Sequence, residues 1–216
     1  MNVTTKLVAN NQLSYFKIKR KITFMSYRLN AIFILDKTKR TDEELLKALG
    51  ISTRFLPKNQ VDFFETNNRW NKLFVGTYND CQIICHGKTT NRAFEEDNFA
   101  AALATAEITA VIWDETAEAF GFAHFQKGKL IRKVLSNGAA FEFDLGFQID
   151  EESKIKDTEL LDSDEMLDII DSEGKEALQQ ILKTERTIHS TNRIVKRYLK
   201  AELVGIEEEI LLEEYG

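Results

Sequence analysis

The side chains of this chain that could do chemistry are few: three histidines, two cysteines, and some carboxylates set among aromatic rings. His86 opens the run His86-Gly87-Lys88-Thr89-Thr90, which has the look of the end of a phosphate-binding loop. The full pattern places another glycine five residues before Gly87, and Gln82 stands there. With one glycine the backbone cradle is incomplete, and a polar turn after a strand is the simpler reading. Cys81, Cys85 and His86 are soft donors at close spacing. A structural zinc site needs a second close pair, and His124 and His189 supply none, so no metal site is expected. Cys85 with His86 or His124 also has the parts of a nucleophile and its base. A reactive thiol needs an electropositive, partly exposed setting, and cysteines on a strand serve more often as small buried hydrophobes.

Acid–base work is the third option. Its candidates are His124 and His86 with Glu142 and Asp144, carboxylates that alternate along one segment. Solvation is the plainer role for Glu142, Asp144 and Asp150, because a one-sided antiparallel sheet needs polar residues outside. Recognition by contact is the fourth. Trp113-Asp114 ends a strand, and Trp70, Phe63 and Phe64 lie in an aromatic and polar stretch. Loops often carry function and Trp is enriched where partners bind. The binding candidates are therefore Trp70, Trp113, Asp114 and Phe64, against the alternative that the indoles cover the core.

These residues must be positioned by a run of strands from Ile108 to Asp150. ITAVIW, AFGFAHFQ, KLIRKVL and FEFDLGFQI form a meander with turns at Lys127-Gly128 and Asn137-Gly138, where glycine supplies positive φ. In the last segment Phe141, Phe143, Leu145, Phe147 and Ile149 fall at every second position, which predicts one apolar face lying on a core. Leu29 to Leu35 is apolar on both faces and reads as a central strand. Thr41 and Glu44 have capping-box spacing, and Gly50 closes the short helix between them. Ile51 to Asn71 reads as irregular. KLFVGTY and CQIICH read as strands joined at Asn79-Asp80. Ala93 to Ala106 reads as a helix with Phe94, Ala101, Ala102 and Leu103 inward. The order strand, helix, strand, strand, helix, strand is that of a ferredoxin-like split unit.

After Asp150 come acidic helices. One is capped by Asp162 or Ser163, with Gly174 a point of bending or splitting. Another carries Ile194, Tyr198, Leu199 and Leu203 and ends at Gly205. The fold class is α+β: a mixed or antiparallel sheet, with a ferredoxin-like βαββαβ start, the meander, and C-terminal helices. The expected organisation is a basic extension over 1–24, an α+β core over 25–152 and an acidic helical region packed on it over 153–216. The extension reads either as an edge strand or as sequence lying ahead of a true start at Met25.

The formal net charge of −6 disfavours general nucleic-acid binding. Basic residues nevertheless crowd the segment from Lys6 to Arg40, which leaves a nucleic-acid-binding arm as an alternative. No apolar run approaches the roughly 18 residues of a membrane span, so a soluble, cytoplasmic protein with no membrane partner is expected. Cys81 and Cys85, four apart on a strand, would have Cα atoms about 13 Å apart, too far for the roughly 7 Å limit of a disulfide.

The run GFAHFQKGKLIRKVLSNG followed by FEFDLGFQIDEE resembles a family of uncharacterised bacterial proteins, a domain of unknown function, mainly over residues 119–152. The resemblance is carried by Gly128, Leu130, Arg132, Asp144, Gly146 and Glu151, with Gly205-Ile206-Glu207 similar to the family's ending. Ile149-Asp150 stands where the family has a proline. The resemblance implies an α+β cytosolic domain and no assigned chemistry, so it transfers no catalytic residue.

Taken together, the residues point to a non-catalytic binding or protein-interaction module with an unidentified protein partner or small ligand and no cofactor. One alternative is an enzyme with a pocket between the 108–150 meander and the 51–70 loop, built from histidine and carboxylates. The basic arm is the other. An exposed edge strand leaves room for a homodimer.

Overall fold

The computed structural model describes residues 27–52, 57–66, 69–138, 140–200 and 210–215. The extension over 1–24, the proposed start at Met25, and Leu203 to Glu207 lie outside them. The described elements run β1 (Arg28–Asp36), α1 (Asp42–Ala48), β2 (Pro57–Asp62), β3 (Leu73–Tyr78), β4 (Cys81–Cys85), α2 (Gly87–Glu95), β5 (Ala106–Asp114), β6 (Ala119–Gln126), β7 (Lys129–Asn137), β8 (Ala140–Gly146), α3 (Asp150–Ser153), α4 (Asp157–Leu160), α5 (Ser163–Glu173), α6 (Lys175–Leu199) and β9 (Leu211–Tyr215). The nine described strands form one sheet in the order β2-β9-β3-β4-β1-β5-β6-β7-β8, and each pairing is antiparallel. The class is α+β.

β1 lies in the middle because it is apolar on both faces. Ala31 and Phe33 join one core cluster and Ile32 and Ile34 the other, all fully buried. Side chains of successive strand residues alternate between faces, so this strand can be covered twice. Each large apolar side chain gains roughly 1.5–3 kcal/mol from burial. On one face α1 supplies Leu45 and Leu46, with Leu49 just after it, and α2 supplies Ala93 and Phe94. On the other the long helix α6 supplies Ile188, Ile194, Val195, Tyr198 and Leu199. α3, α4 and α5 pack on α6, with Leu161, Ile169, Ala177 and Ile181 forming a small separate cluster.

Local signals place several boundaries. Thr41 and Glu44 make the reciprocal capping box of α1, and Asp162 and Glu165 make that of α5. Gly174, at φ 92°, separates α5 from α6. The Asn79-Asp80 and Lys127-Gly128 turns both have positive φ, the conformation of two-residue hairpin loops.

Three expectations are corrected. The helix expected over Ala93–Ala106 is instead α2, which starts at Gly87 directly after β4 and stops at Glu95, where Glu96 turns extended. Ala101–Leu103 is a short 3-10 turn with Ala101 and Ala102 exposed. The segment expected to be irregular contains β2, with Pro57 at its first position, where a missing N–H is tolerated on an edge strand. The uniform apolar face of the last meander segment does not exist. A bulge between Leu135 and Ser136 pairs these residues with Phe143 and Phe141, leaving Glu142 as the extra residue of β8. Phe141 consequently packs with the α6 side and Phe143 with the α2 side. Leu145 and Phe147 are exposed.

The element order of the split unit is present with β2 added. Its strands lie as β3-β4-β1-β5 with antiparallel neighbours throughout. The acidic C-terminal segment adds one further strand: β9 inserts between β2 and β3.

Candidate functional site

The β1 face that carries Ile34 and Ile32 continues as Asn30 and Arg28. The β5 face that carries Ile108, Ala110 and Ile112 continues as Asp114, and Arg28 and Asp114 are register partners. The apolar series turns polar where the sheet runs past the start of α2. A cavity of about 260 Å³ sits there. Arg28, Asn30 and Asp114 line it from the sheet, with Cys85 and His86 from the end of β4 and Gly87 and Asn91 from α2. Thr66, Arg69 and Trp70 close it from the segment ahead of β3.

Trp70 is fixed by the glycine that resembled a phosphate loop. Gly87 N–H donates to the Trp70 carbonyl at 2.7 Å. A Cβ at Gly87 would stand 2.8 Å from that oxygen and 3.0 Å from the indole Cε3. Gly87 therefore permits Trp70 to lie on the start of α2. The indole itself stays 55% exposed at the cavity. The chain over His86–Thr90 is thus a helix start, where a polar turn was expected.

The polar groups of the cavity are largely engaged. Arg28 Nε lies 3.1 Å from Asp114 Oδ2, and Asp114 Oδ1 accepts the backbone N–H groups of Thr116 and Ala117 at 2.9 Å. His86 Nδ1 and the Thr89 hydroxyl are hydrogen-bonded at 2.7 Å. Burial, helped by the Lys88 charge, lowers the His86 pKa, which favours the neutral ring. The Thr66 hydroxyl donates to the Phe63 carbonyl. Cys85 is buried, and burial pushes its thiol up to about 12. A thiolate is the nucleophile and metal ligand, so Cys85 stays inert at neutral pH. Cys81 is likewise buried and pushed up to about 12. The described residues contain no cluster of three or more histidine, cysteine or carboxylate groups fit to hold a metal.

Of the residues singled out from sequence, Trp70, Cys85, His86, Gly87 and Asp114 meet at this cavity. Phe64 does not line it; its ring lies 5.9 Å from Tyr27. Trp113 is buried and edge-on to Phe120, a core position. Glu142 is exposed and accepts from Asn137. Asp144 is paired with Arg132 at 2.7 Å and Lys183 at 2.6 Å. Partial burial works against its charge, and those two hydrogen bonds hold its pKa below the usual range.

His124 is 2% exposed and sits in a closed network under α6. Its Nδ1 lies 2.8 Å from the Thr109 hydroxyl, which lies 2.7 Å from Tyr198 Oη. Tyr198 donates to Glu107, which Arg197 also engages, and Arg197 reaches Glu151 at 2.7 Å. Burial pushes Tyr198 above its ordinary pKa, so it keeps its proton. This network does convergent polar bonding inside the fold and lines none of the cavity.

Arg28, Asn30, Thr66, Arg69 and Asn91 went unrecognised as site residues in the sequence. They come from separate segments with no common spacing, and only the passage from apolar to polar along β1 marks the place. Arg132, Asp144 and Gly146, three of the residues behind the family resemblance, make architectural contacts. Arg132 grips Glu152 through two nitrogens and also binds Asp144. Gly146, at φ 88°, lets β8 approach the Ile131 carbonyl, where a Cβ would come within 2.1 Å.

Residues 36–154, more than half of the chain, match the model of a family described as a Family of unknown function (DUF6928). No curated protein and no solved structure matches the chain.

Proposed function

The chain belongs to this family of unknown function, and from its own geometry we propose that it is a non-catalytic binding module whose site is the cavity where β1, β4 and β5 overhang the start of α2. The observation that carries this is the convergence of an open indole, two guanidinium groups and two side-chain amides on one concavity. Binding sites combine a concave surface with a few convergent polar groups. Two other lining groups argue against catalysis: burial favours the protonated Cys85 thiol, and Asp114 is committed to Arg28 and two backbone N–H groups. The volume falls below the roughly 300–1,000 Å³ of drug-sized sites, so the occupant is small or only one end of it enters. The free thiols of Cys81 and Cys85 suit a reducing compartment, and the proposal keeps the cytoplasm as the location.

The test is a thermal-shift screen of small molecules against the full chain and an Asn91→Phe variant. Asn91 is exposed on α2, and a ring there fills the mouth of the cavity. A ligand at a hundred times its dissociation constant stabilises by about 2.7 kcal/mol, a rise of several degrees. Compounds that stabilise the wild-type chain should leave the variant unmoved. Equal shifts in both proteins, or none in the wild type, would overturn the proposal.

A further inference from the structure

The cavity also carries information about what it holds. Its lining has two full positive charges, Arg28 and Arg69, and one negative, Asp114, a net of one positive charge. Asp114 is set against Arg28. Arg69 stands 3.9 Å from Glu214, a carboxylate that Lys72 already engages at 2.6 Å. Lys88 follows the lining residue Gly87, and its charge adds to burial in lowering the pKa of His86. The start of α2, which brings the positive end of the helix dipole, has no side-chain cap. Among the groups that line the cavity the balance is thus positive, which suits an anion better than a cation. Arg69 offers a planar fork that matches carboxylate and phosphate geometry. Beside it lies the open face of Trp70, 55% exposed, against which a flat ring can stack.

Resting on the reading that the cavity binds a ligand, we infer that it takes the anionic end, a carboxylate or a phosphate, of a small planar molecule whose body lies against Trp70. Arg69 holds the anion, and Asp114 limits the charge that Arg28 presents to it. Asp114→Asn keeps an oxygen for the backbone N–H groups of Thr116 and Ala117 and removes the opposing charge.

The experiment is a titration of tryptophan emission in the full chain with benzoate, phenyl phosphate and neutral benzyl alcohol. Trp113 is 8% exposed, so a change on binding reports Trp70. At least one acid should bind more tightly than benzyl alcohol by about tenfold or more, since charge-assisted bidentate bonds are the strong ones. The stronger of the two acids identifies the head group. Arg69→Gln should weaken that acid by about tenfold, and Asp114→Asn should tighten it by roughly threefold or more. Benzyl alcohol binding as well as both acids would overturn the anionic class and leave the binding reading standing. Weaker acid binding in Asp114→Asn, with that variant folded by circular dichroism, would also overturn it. If none of the probes changes the emission saturably, the inference fails, while the stability screen decides the binding reading separately.

Discussion

At the scale of residues, His124 is the one whose place changes most between sequence and structure. Its type proposes a catalytic base, and its surroundings make it a structural neutral ring. The Tyr198 hydroxyl donates its hydrogen bond to Glu107, so the Thr109 hydroxyl donates to Tyr198 and His124 Nδ1–H donates to Thr109. Burial lowers its pKa, Glu107 and Glu151 work the other way, and Arg197 reinforces the lowering. The unfolded chain thus takes up a proton at His124 near pH 6.5 that the folded chain refuses. The stability contribution is complete above about pH 6.5 and is lost as pH falls toward the lowered folded value. Urea unfolding free energies measured from about pH 7.5 down to about pH 5 should fall with acidification. His124→Gln should show a shallower fall; equal slopes would refute the neutral assignment. No spacing could reveal this network, because Thr109 and Tyr198 are 89 residues apart.

At the scale of elements, the edge of the sheet is held by charge where apolar packing is thin. β8 is mostly exposed. Arg132 of β7 nevertheless ties it to α3: it binds Glu152 with both partners buried, and it binds Asp144 and the Leu145 carbonyl. Removing one partner of such a pair strands a buried charge. Glu152→Gln should therefore cost about 3 kcal/mol in urea unfolding, whereas Arg132→Met combined with Glu152→Met should cost less than that single change. A double variant that loses the sum of the two single losses would contradict this. Alternation along residues 141–149 correctly marked a strand but assigned its faces wrongly, because one inserted residue, Glu142, exchanges them after Phe141. The short helix α1 was legible because its capping box is local. α2 lies ahead of its expected place because its polar first turn, His86–Thr90, contains no apolar repeat.

At the scale of the whole molecule, the double-sided β1 was the most informative stretch, since burial on both faces forces a central place with helices above and below. β9 was not legible. ILLEEY suits an amphipathic helix as well as a strand, and only its insertion between β2 and β3 decides the matter. That insertion reaches the candidate site, because Glu214 of β9 binds Lys72 and approaches Arg69 beside Trp70. A chain ending at residue 209 should retain the pairing of β1 with β4 and β5. Its β2 and β3 amides should exchange at least about tenfold faster, as strands lacking a neighbour open at low cost. Hydrogen exchange by mass spectrometry measures this, and unchanged protection of 73–78 would show that β9 closes nothing.

The claim that joins these scales is that the molecule binds a ligand where its apolar faces end over the start of α2. Backbone-amide chemical-shift mapping with whichever small molecules stabilise the protein tests it most directly. The expected result is a compact set of saturable shifts at Arg28, Asn30, Trp70, Gly87 and Asn91, with His124, Tyr198 and β8 silent. Shifts centred on the exposed β8 edge around Leu145 and Phe147, or on the His124 network, with the cavity silent, would contradict it.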